Sequence, residues 1–360
     1  MQIGIVGLPF SGKSTLFQTL THTHLDEAAS RRQQTNLAMV KVPDARVDAL
    51  GDYYHPKKLV YTSIEFVDVI GLKKGDRDST QFTNSFLASV KTNDALIHVV
   101  RCFDDPMYPH PEGSIDPKRD VQILEAEFLL SDLAMIESRI DKLKKQIQKT
   151  QDDKSKIELN ALEKCFAWLE QEKPLRTLQL DPHERKAIRG YQFLTEKPLL
   201  AVLNLDEASM SKRDELIAGI VETYGHAGIA SDAFSGKIEM ELAQLSDEDA
   251  AAFMSDYGIT ESALVRIISS AYRMLGLISF LTAGEDECRA WAIRRGMNAQ
   301  EAAGEIHTDL MNKFIRAEVV NYSHFIEDGS MAVCKEKGHW RLEGKEYIVK
   351  DGDMLTIRHG

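Results

Sequence analysis

Cysteine is scarce in this chain and scattered. Cys102, Cys165, Cys288 and Cys334 are its four thiols, and no two form a CxxC pair. That spacing excludes a zinc knuckle and a compact disulfide framework, and it fits a reducing compartment. No uninterrupted apolar run is long enough to cross a bilayer, so membrane insertion is not expected. An excess of positive charge is missing too: 44 Lys and Arg face 56 Asp and Glu, a formal net charge of −12. Such a surface disfavours indiscriminate binding to nucleic acid; no DNA partner is expected, and RNA contacts are left to local basic patches. Met1–Gly7 reads as a buried strand and not as a charged leader with an apolar core, so the expected location is the cytoplasm. Apolar content is ample, at 43% hydrophobic residues over 360 positions. It can fill the cores of two or three domains.

The strand Gln2–Val6 runs directly into Gly7-Leu8-Pro9-Phe10-Ser11-Gly12-Lys13-Ser14, and the helix-forming Thr15–Leu20 follows. This is GxxxxGK[ST] in the strand–loop–helix order that the motif requires, which argues against a chance glycine turn. Glycines let the backbone of Phe10, Ser11, Gly12 and Thr15 turn N–H groups toward phosphates. Lys13 neutralises β- and γ-phosphate charge, and Ser14 ligates Mg2+ at the helix N-terminus. A second strand, Ile64–Asp68, opens Asp68-Val69-Ile70-Gly71, a DxxG switch that sets a carboxylate near Mg2+ and the Gly71 N–H near the γ-phosphate.

Two further apolar strands, Ala95–Arg101 and Pro198–Leu203, complete a predominantly parallel sheet and hence an α/β P-loop fold. The latter ends in Asn204-Leu205-Asp206-Glu207, where GTPases carry NKxD. Glu207 in place of Asp changes the reach to the guanine edge, and Leu205 in place of Lys changes the wall beside the base. Both point from GTP toward ATP. Asp206 offers a competing register, and an acidic helix cap is the plainer alternative.

Leu129, Leu133, Ile136, Ile140, Leu143 and Ile147 alternate steps of four and three, and Leu159, Leu162, Phe166 and Leu169 continue the seam. An antiparallel coiled-coil hairpin inserted in the sheet domain is predicted. Lys142, Lys144, Lys145, Lys149, Lys154 and Lys156 cluster near its tip, either as a solvated face or as contacts for RNA phosphates. From about Leu277 the pattern changes to short strands, a helix over 299–313 and a late hairpin at Lys350-Asp351-Gly352-Asp353, a compact α+β module.

With Val42-Pro43-Asp44, His98-Val99-Val100-Arg101-Cys102-Phe103, Phe314–Val319 and Trp340–Lys345 added to these motifs, the chain resembles the Obg-like ATPase, or YchF, family nearly end to end. The resemblance implies a G domain (1–120 and 196–276), an inserted helical arm (121–195) and a C-terminal TGS domain of β-grasp fold (277–360). It also implies a Mg2+-dependent ATPase, slow by itself, that associates with ribosomes or ribosomal RNA. Ser235-Gly236-Lys237 stays close to the family's SAK-like fifth motif and joins Asn204, Leu205 and Glu207 as the base side of the site.

Two departures alter what the resemblance carries over. Phe10-Ser11 replaces the usual Asn-Val of the phosphate loop, and the lost amide oxygen speaks against K+ dependence. The shortened stretch before Asn36 leaves the switch-I Mg2+ ligand open between alignments: Arg32 falls at the matching place, and Thr35 reaches it by sliding. Leu72 after DxxG cannot orient water, and the family resemblance puts His110 at the place of a water-positioning His. A solvated loop His is the alternative. Two other functions compete with the ATPase switch: a non-catalytic, nucleotide-gated ribosome or RNA adaptor, favoured by Leu72 and Phe10, and a conventional GTPase, to which Asn204 is still suited.

Overall fold

The computed structural model describes residues 1–21, 36–69, 83–150, 152–256, 259 and 261–360. Its strands are β1 (Gln2–Val6), β2 (Asn36–Lys41), β3 (Lys58–Val60), β4 (Ser63–Asp68), β5 (Ala95–Cys102), β6 (Leu199–Leu205), β7 (Ile229–Phe234), β8 (Leu277–Thr282), β9 (Glu287–Arg294), β10 (Phe314–Asn321), β11 (Arg341–Glu343) and β12 (Asp353–His359). They form two six-stranded sheets, ordered β2-β4-β1-β5-β6-β7 and β11-β10-β12-β8-β9-β3. The chain divides into two compact units, one of residues 1–39 and 65–267, the other of 40–64 and 268–360.

In the first unit, β4, β1, β5, β6 and β7 pair in parallel throughout. β5 is buried at all eight positions and β6 at all seven, as central parallel strands covered on both faces must be. The order reverses at β1, whose neighbours β4 and β5 lie on opposite sides of it. A ligand crevice is expected beyond the carboxyl ends of strands at such a switch point. Helix Lys13–Thr21 starts there, straight after the glycine-rich loop.

The predicted hairpin is present as helices Pro117–Thr150 and Asp153–Leu169. Ile136, Ile140 and Leu143 pack with Ala161, Leu162, Cys165 and Leu169 in its buried seam. Of the tip lysines, Lys144 pairs with Glu163 at 3.0 Å and Lys156 with Asp153 at 3.0 Å. Asp132, fully buried, accepts hydrogen bonds from the backbone N–H groups of Leu194 and Thr195, which ties the outgoing helix to the chain segment returning to β6.

The second unit is mixed: β10 runs antiparallel to β11 and β12, β8 to β9, while β12–β8 and β3–β9 are parallel. Helix Ala299–Ile306 covers one sheet face with Ala299 and Ala302 against Phe280 and Val319, a β-grasp arrangement. Asn298 and Glu301 close a capping box at its start. The single helix predicted over 299–313 is instead two, Ala299–Ile306 and Thr308–Asn312, because His307 is extended and its side chain caps the second.

The expected limits of the G and TGS domains differ from the compact units at two places, the smaller being residues 268–276, read as G domain but grouped with the C-terminal unit. Residues 40–64 fall inside the 1–120 span read as G domain, yet they belong to the C-terminal unit. Val47 and Leu50 of helix Ala45–Tyr54 pack with Leu281, Cys288, Val320 and Phe325 on the other sheet face. Arg46 bridges Asp44 at 2.7 Å and Asp351 at 2.9 Å. No helix among the described residues is long and apolar enough to cross a membrane.

Candidate functional site

The phosphate loop is held by close approaches that only glycine permits. Gly7 has φ +151, and a Cβ there would lie 2.4 Å from the Val99 carbonyl oxygen; Gly12 has φ +96, and its Cβ would lie 2.2 Å from Asn204 Nδ2. Lys13 Nζ donates to the Leu8 carbonyl at 2.8 Å, closing the loop. Ser14 Oγ sits 3.5 Å from Asp68 Oδ2. Burial lowers the Lys13 pKa to about 8, with the Asp68 charge opposing the shift. Burial likewise raises the Asp68 carboxyl, against the pull of Lys13 and the Ser14 hydroxyl.

Behind the loop, His98 on β5 is fully buried, and among the described residues neither ring nitrogen has a partner. Burial first, and the Lys13 charge second, push its pKa down to about 3, so it stays neutral.

The loop opens onto a cleft of about 730 Å3 in the first unit, lined on the loop side by Phe10, Gly12 and Thr15 and on the far side by Asn204, Leu205, Glu207, Gly236 and Lys237. Asn204 has a different position from a free base reader. Its Nδ2 donates to the Ser11 carbonyl at 3.0 Å, and its Oδ1 accepts from Gly236 N at 3.0 Å. It therefore clamps the phosphate loop to the turn after β7. Asp206 Oδ1 accepts from Ser209 N at 2.8 Å, a local cap, so its competing register is already engaged. Glu207 Oε1 accepts from Lys237 Nζ at 2.7 Å. Ser235 is buried, and its hydroxyl, like that of Ser11, has no partner among the described residues.

His110 differs from the solvated loop residue that the sequence allowed. Its side chain is 4% exposed, and its Nε2 lies 2.9 Å from Asp120 Oδ2, itself buried. Nδ1 accepts from Glu112 N at 3.1 Å, so Nε2 carries the proton that it donates to Asp120. Both nitrogens are engaged, and His110 is not among the residues lining the cleft. Thr35, Gly71 and Leu72, together with Arg32, lie outside the described residues.

Sequence reasoning assigned no site role to Arg101, Phe103, Tyr108 and Met240, which also line the cleft. Arg101 is almost fully buried; its Nε donates to Phe103 O at 3.0 Å and its Nη1 to Tyr108 O at 2.7 Å. An Arg near the end of a strand apolar but for His98 was the available signal, since so costly a burial requires partners.

Comparison with known proteins agrees with this geometry. A family model described as "50S ribosome-binding GTPase" matches residues 2–205. A second, YchF-GTPase_C, described as "Protein of unknown function (DUF933)", matches residues 277–360. The chain is 42% identical to the ribosome-binding ATPase YchF of Haemophilus ducreyi, over 99% of this chain and 98% of that protein. It is 39% identical to the Bacillus subtilis protein of the same name over 99% and 98%. Human Obg-like ATPase 1 is 38% identical over 99% of this chain and 92% of its own length. A solved structure of the Schizosaccharomyces pombe YchF GTPase superimposes with a TM-score of 0.86 at 32% identity, covering 99% of this chain and 97% of that one. A P-loop sheet domain carrying a helical arm, joined to a C-terminal β-grasp unit and alike along its whole length to these relatives, places the chain in the YchF, or Obg-like ATPase, family.

Proposed function

We propose that the chain is a Mg2+-dependent P-loop ATPase, slow by itself, that serves as a cytoplasmic, ribosome-associated nucleotide switch and prefers ATP to GTP. The observation that carries this reading is the phosphate cradle: glycine-dependent backbone, Lys13 at its centre and the Ser14–Asp68 oxygen pair beside it. Lys13 exchanges the Leu8 carbonyl for β/γ-phosphate oxygens, and the backbone N–H groups from Phe10 to Thr15 receive the remaining phosphate charge. Two hard oxygen donors suit Mg2+, which keeps several waters and binds through few protein ligands. When bound, the ion neutralises charge on the β/γ oxygens. Thr35 and Gly71 complete the metal and γ-phosphate contacts in this proposal. The Phe10 side chain carries no oxygen donor and does not fit a K+ ligand.

The adenine preference rests on the tether of Glu207 to Lys237, which holds the carboxylate against its own wall rather than leaving it for guanine N1 and N2 donors. Leu205 and Gly236 line the base side, Ser235 is buried beside Gly236, and Asn204 fixes that wall to the phosphate loop. Calorimetric titration with Mg2+–ATP and Mg2+–GTP tests the assignment, and tighter GTP binding would reverse it. The relatives' names support a ribosomal partner. Charge reversal of Lys142, Lys145, Lys149 and Lys154 should weaken co-sedimentation with ribosomes while leaving ATP affinity unchanged; salt-insensitive, undiminished binding removes the arm from the partner surface.

One observation favours a second reading, a nucleotide-gated adaptor without turnover: both His110 nitrogens are engaged away from the cleft. In the ATPase reading His110 leaves Asp120 and Glu112 to orient the attacking water. Single-turnover hydrolysis equal to the enzyme-free control selects the adaptor.

A further inference from the structure

Phe10 is a non-glycine residue in left-handed backbone, φ +61. That conformation costs about 1–2 kcal/mol for a residue with a Cβ. Burial does not compensate it, since Phe10 remains 40% exposed. Its ring instead meets that of Tyr108, with centroids 5.2 Å apart and planes inclined at 32°. Tyr108 is 45% exposed, so this is a contact of two surface rings and not part of a core.

The loop bearing Tyr108 is built, not slack. Arg101, anchored in the sheet, holds the Phe103 and Tyr108 carbonyls from below. Asp105 makes a turn, its carbonyl accepting from Tyr108 N at 3.1 Å and its carboxylate from Met107 N at 2.9 Å. Pro106 and Pro109 bracket the ring and fix two further φ angles. His110 fastens the far end to Asp120. Phe103, Asp104, Asp105 and Tyr108 thus form one wall of the cleft, and the ring of Phe10, rising from the phosphate loop, reaches across to it.

We propose that Phe10 and Tyr108 form an aromatic latch that fastens the loop after β5 to the phosphate loop, so that a bound purine nucleotide leaves only when this contact opens. Phe10 and Tyr108 are positioning residues: the Phe10 N–H faces phosphate whatever its side chain, and the ring governs how long the nucleotide stays. The effect on release rests on the nucleotide-binding reading above; the contact itself does not.

Two measurements on the full chain test it. In the nucleotide-free protein, Phe10→Ala keeps a Cβ and hence the same backbone cost while removing the ring. Hydrogen exchange at the amides of residues 103–113 should then accelerate in Phe10→Ala and in Tyr108→Ala, and remain at the parent rate in Tyr108→Phe. Unchanged exchange in both alanine variants overturns the latch, whether or not nucleotide binds. In stopped-flow displacement of a fluorescent ATP analogue, each alanine variant should raise the dissociation rate about three- to tenfold, the range of one aromatic pair. The double variant should be no faster than the faster single. Single effects that multiply in the double variant show two independent contacts and overturn the proposal. A parent protein that binds no nucleotide refutes the nucleotide reading alone, and the exchange measurement still judges the latch.

Discussion

The two units satisfy their buried polar groups differently. In the phosphate-binding unit, Ser11, His98, Arg101 and Ser235 around the cleft each keep a buried side-chain atom without a partner among the described residues; the C-terminal unit contributes only Asp353 Oδ1 to that set. Even there, the other Asp353 oxygen accepts from the Tyr347 hydroxyl at 2.8 Å and from Lys350 N at 2.9 Å. Unmet hydrogen-bonding capacity costs stability unless a ligand or water meets it. Asn93, Glu125, Arg213, Ser231 and Arg266 of the first unit also keep such an atom, so the difference marks that unit as a whole and not the cleft alone.

This contrast can be broken most directly at the phosphate loop. Lys13→Ala removes a charge that serves ground and transition states alike, so ATP affinity and turnover should fall together, each by about a hundredfold or more; calorimetry and steady-state kinetics measure them. Retention of either at the parent level would detach Lys13 from the phosphates. His110→Ala should spare ATP affinity and slow single-turnover hydrolysis by roughly ten- to a hundredfold. A parent-like rate would leave His110 as a fastener of its loop.

Acidity should separate the units as well. With its pKa lowered to about 8, Lys13 loses its proton in the free protein above that pH, while bound phosphate favours the charged form. ATP affinity should then decline by up to about tenfold per pH unit above pH 8; a flat profile to pH 9.5 would contradict the assignment. The sign for stability is opposite. Between pH 8 and 10.5 the unfolded chain holds the Lys13 proton and the folded chain does not, so the cost of burying that charge is complete below 8 and relieved by 10.5. In the second unit, Asp328 is held down to about 2, first by the Lys337 hydrogen bond and then by His339. Its contribution is present above the ordinary carboxylate range and is lost as pH falls toward 2.

Two glycines of the same handedness should differ sharply in what a Cβ costs, and the smaller loss lies outside the cleft. Gly338, at φ +76 with nothing within 4 Å of a Cβ, should tolerate alanine at a cost of about 1–2 kcal/mol in chemical denaturation. Gly12→Ala should lose roughly 3 kcal/mol or more and its nucleotide binding, because the Cβ collides with the Asn204 amide. Equal losses at the two positions would mean that the clamp gives way easily.

Much of the fold was legible because its signals are local. The phosphate loop is set by glycines at fixed spacing, and the arm by a heptad seam from Leu129 to Leu169 in which Ile136, Ile140, Leu143, Leu162 and Leu169 are buried. What stayed hidden depends on residues distant in sequence. β3 is three residues long and pairs with β9, more than two hundred positions away, so no periodicity marks it as part of the C-terminal sheet. Asn204 was legible as a motif residue but not as a clamp, since its partners Ser11 and Gly236 come from two other loops. His110 stood out, whereas Asp120, which holds it, looked like an ordinary acid in the first turn of a helix.

The excursion of residues 40–64 into the C-terminal unit has a topological consequence. The chain passes between the units three times, at 39/40, 64/65 and 267/268. Cutting the backbone once, between 267 and 268, would release residues 268–360 but leave residues 40–64, the rest of their unit, inside the other fragment. A fragment starting at 277 would carry five of the six strands of the second sheet but lack β3, Val47 and Leu50, leaving Leu281, Cys288 and Phe325 without part of their cover. The two units are thus inseparable by any single scission, and neither can be inherited, excised or exchanged as one uninterrupted stretch of gene.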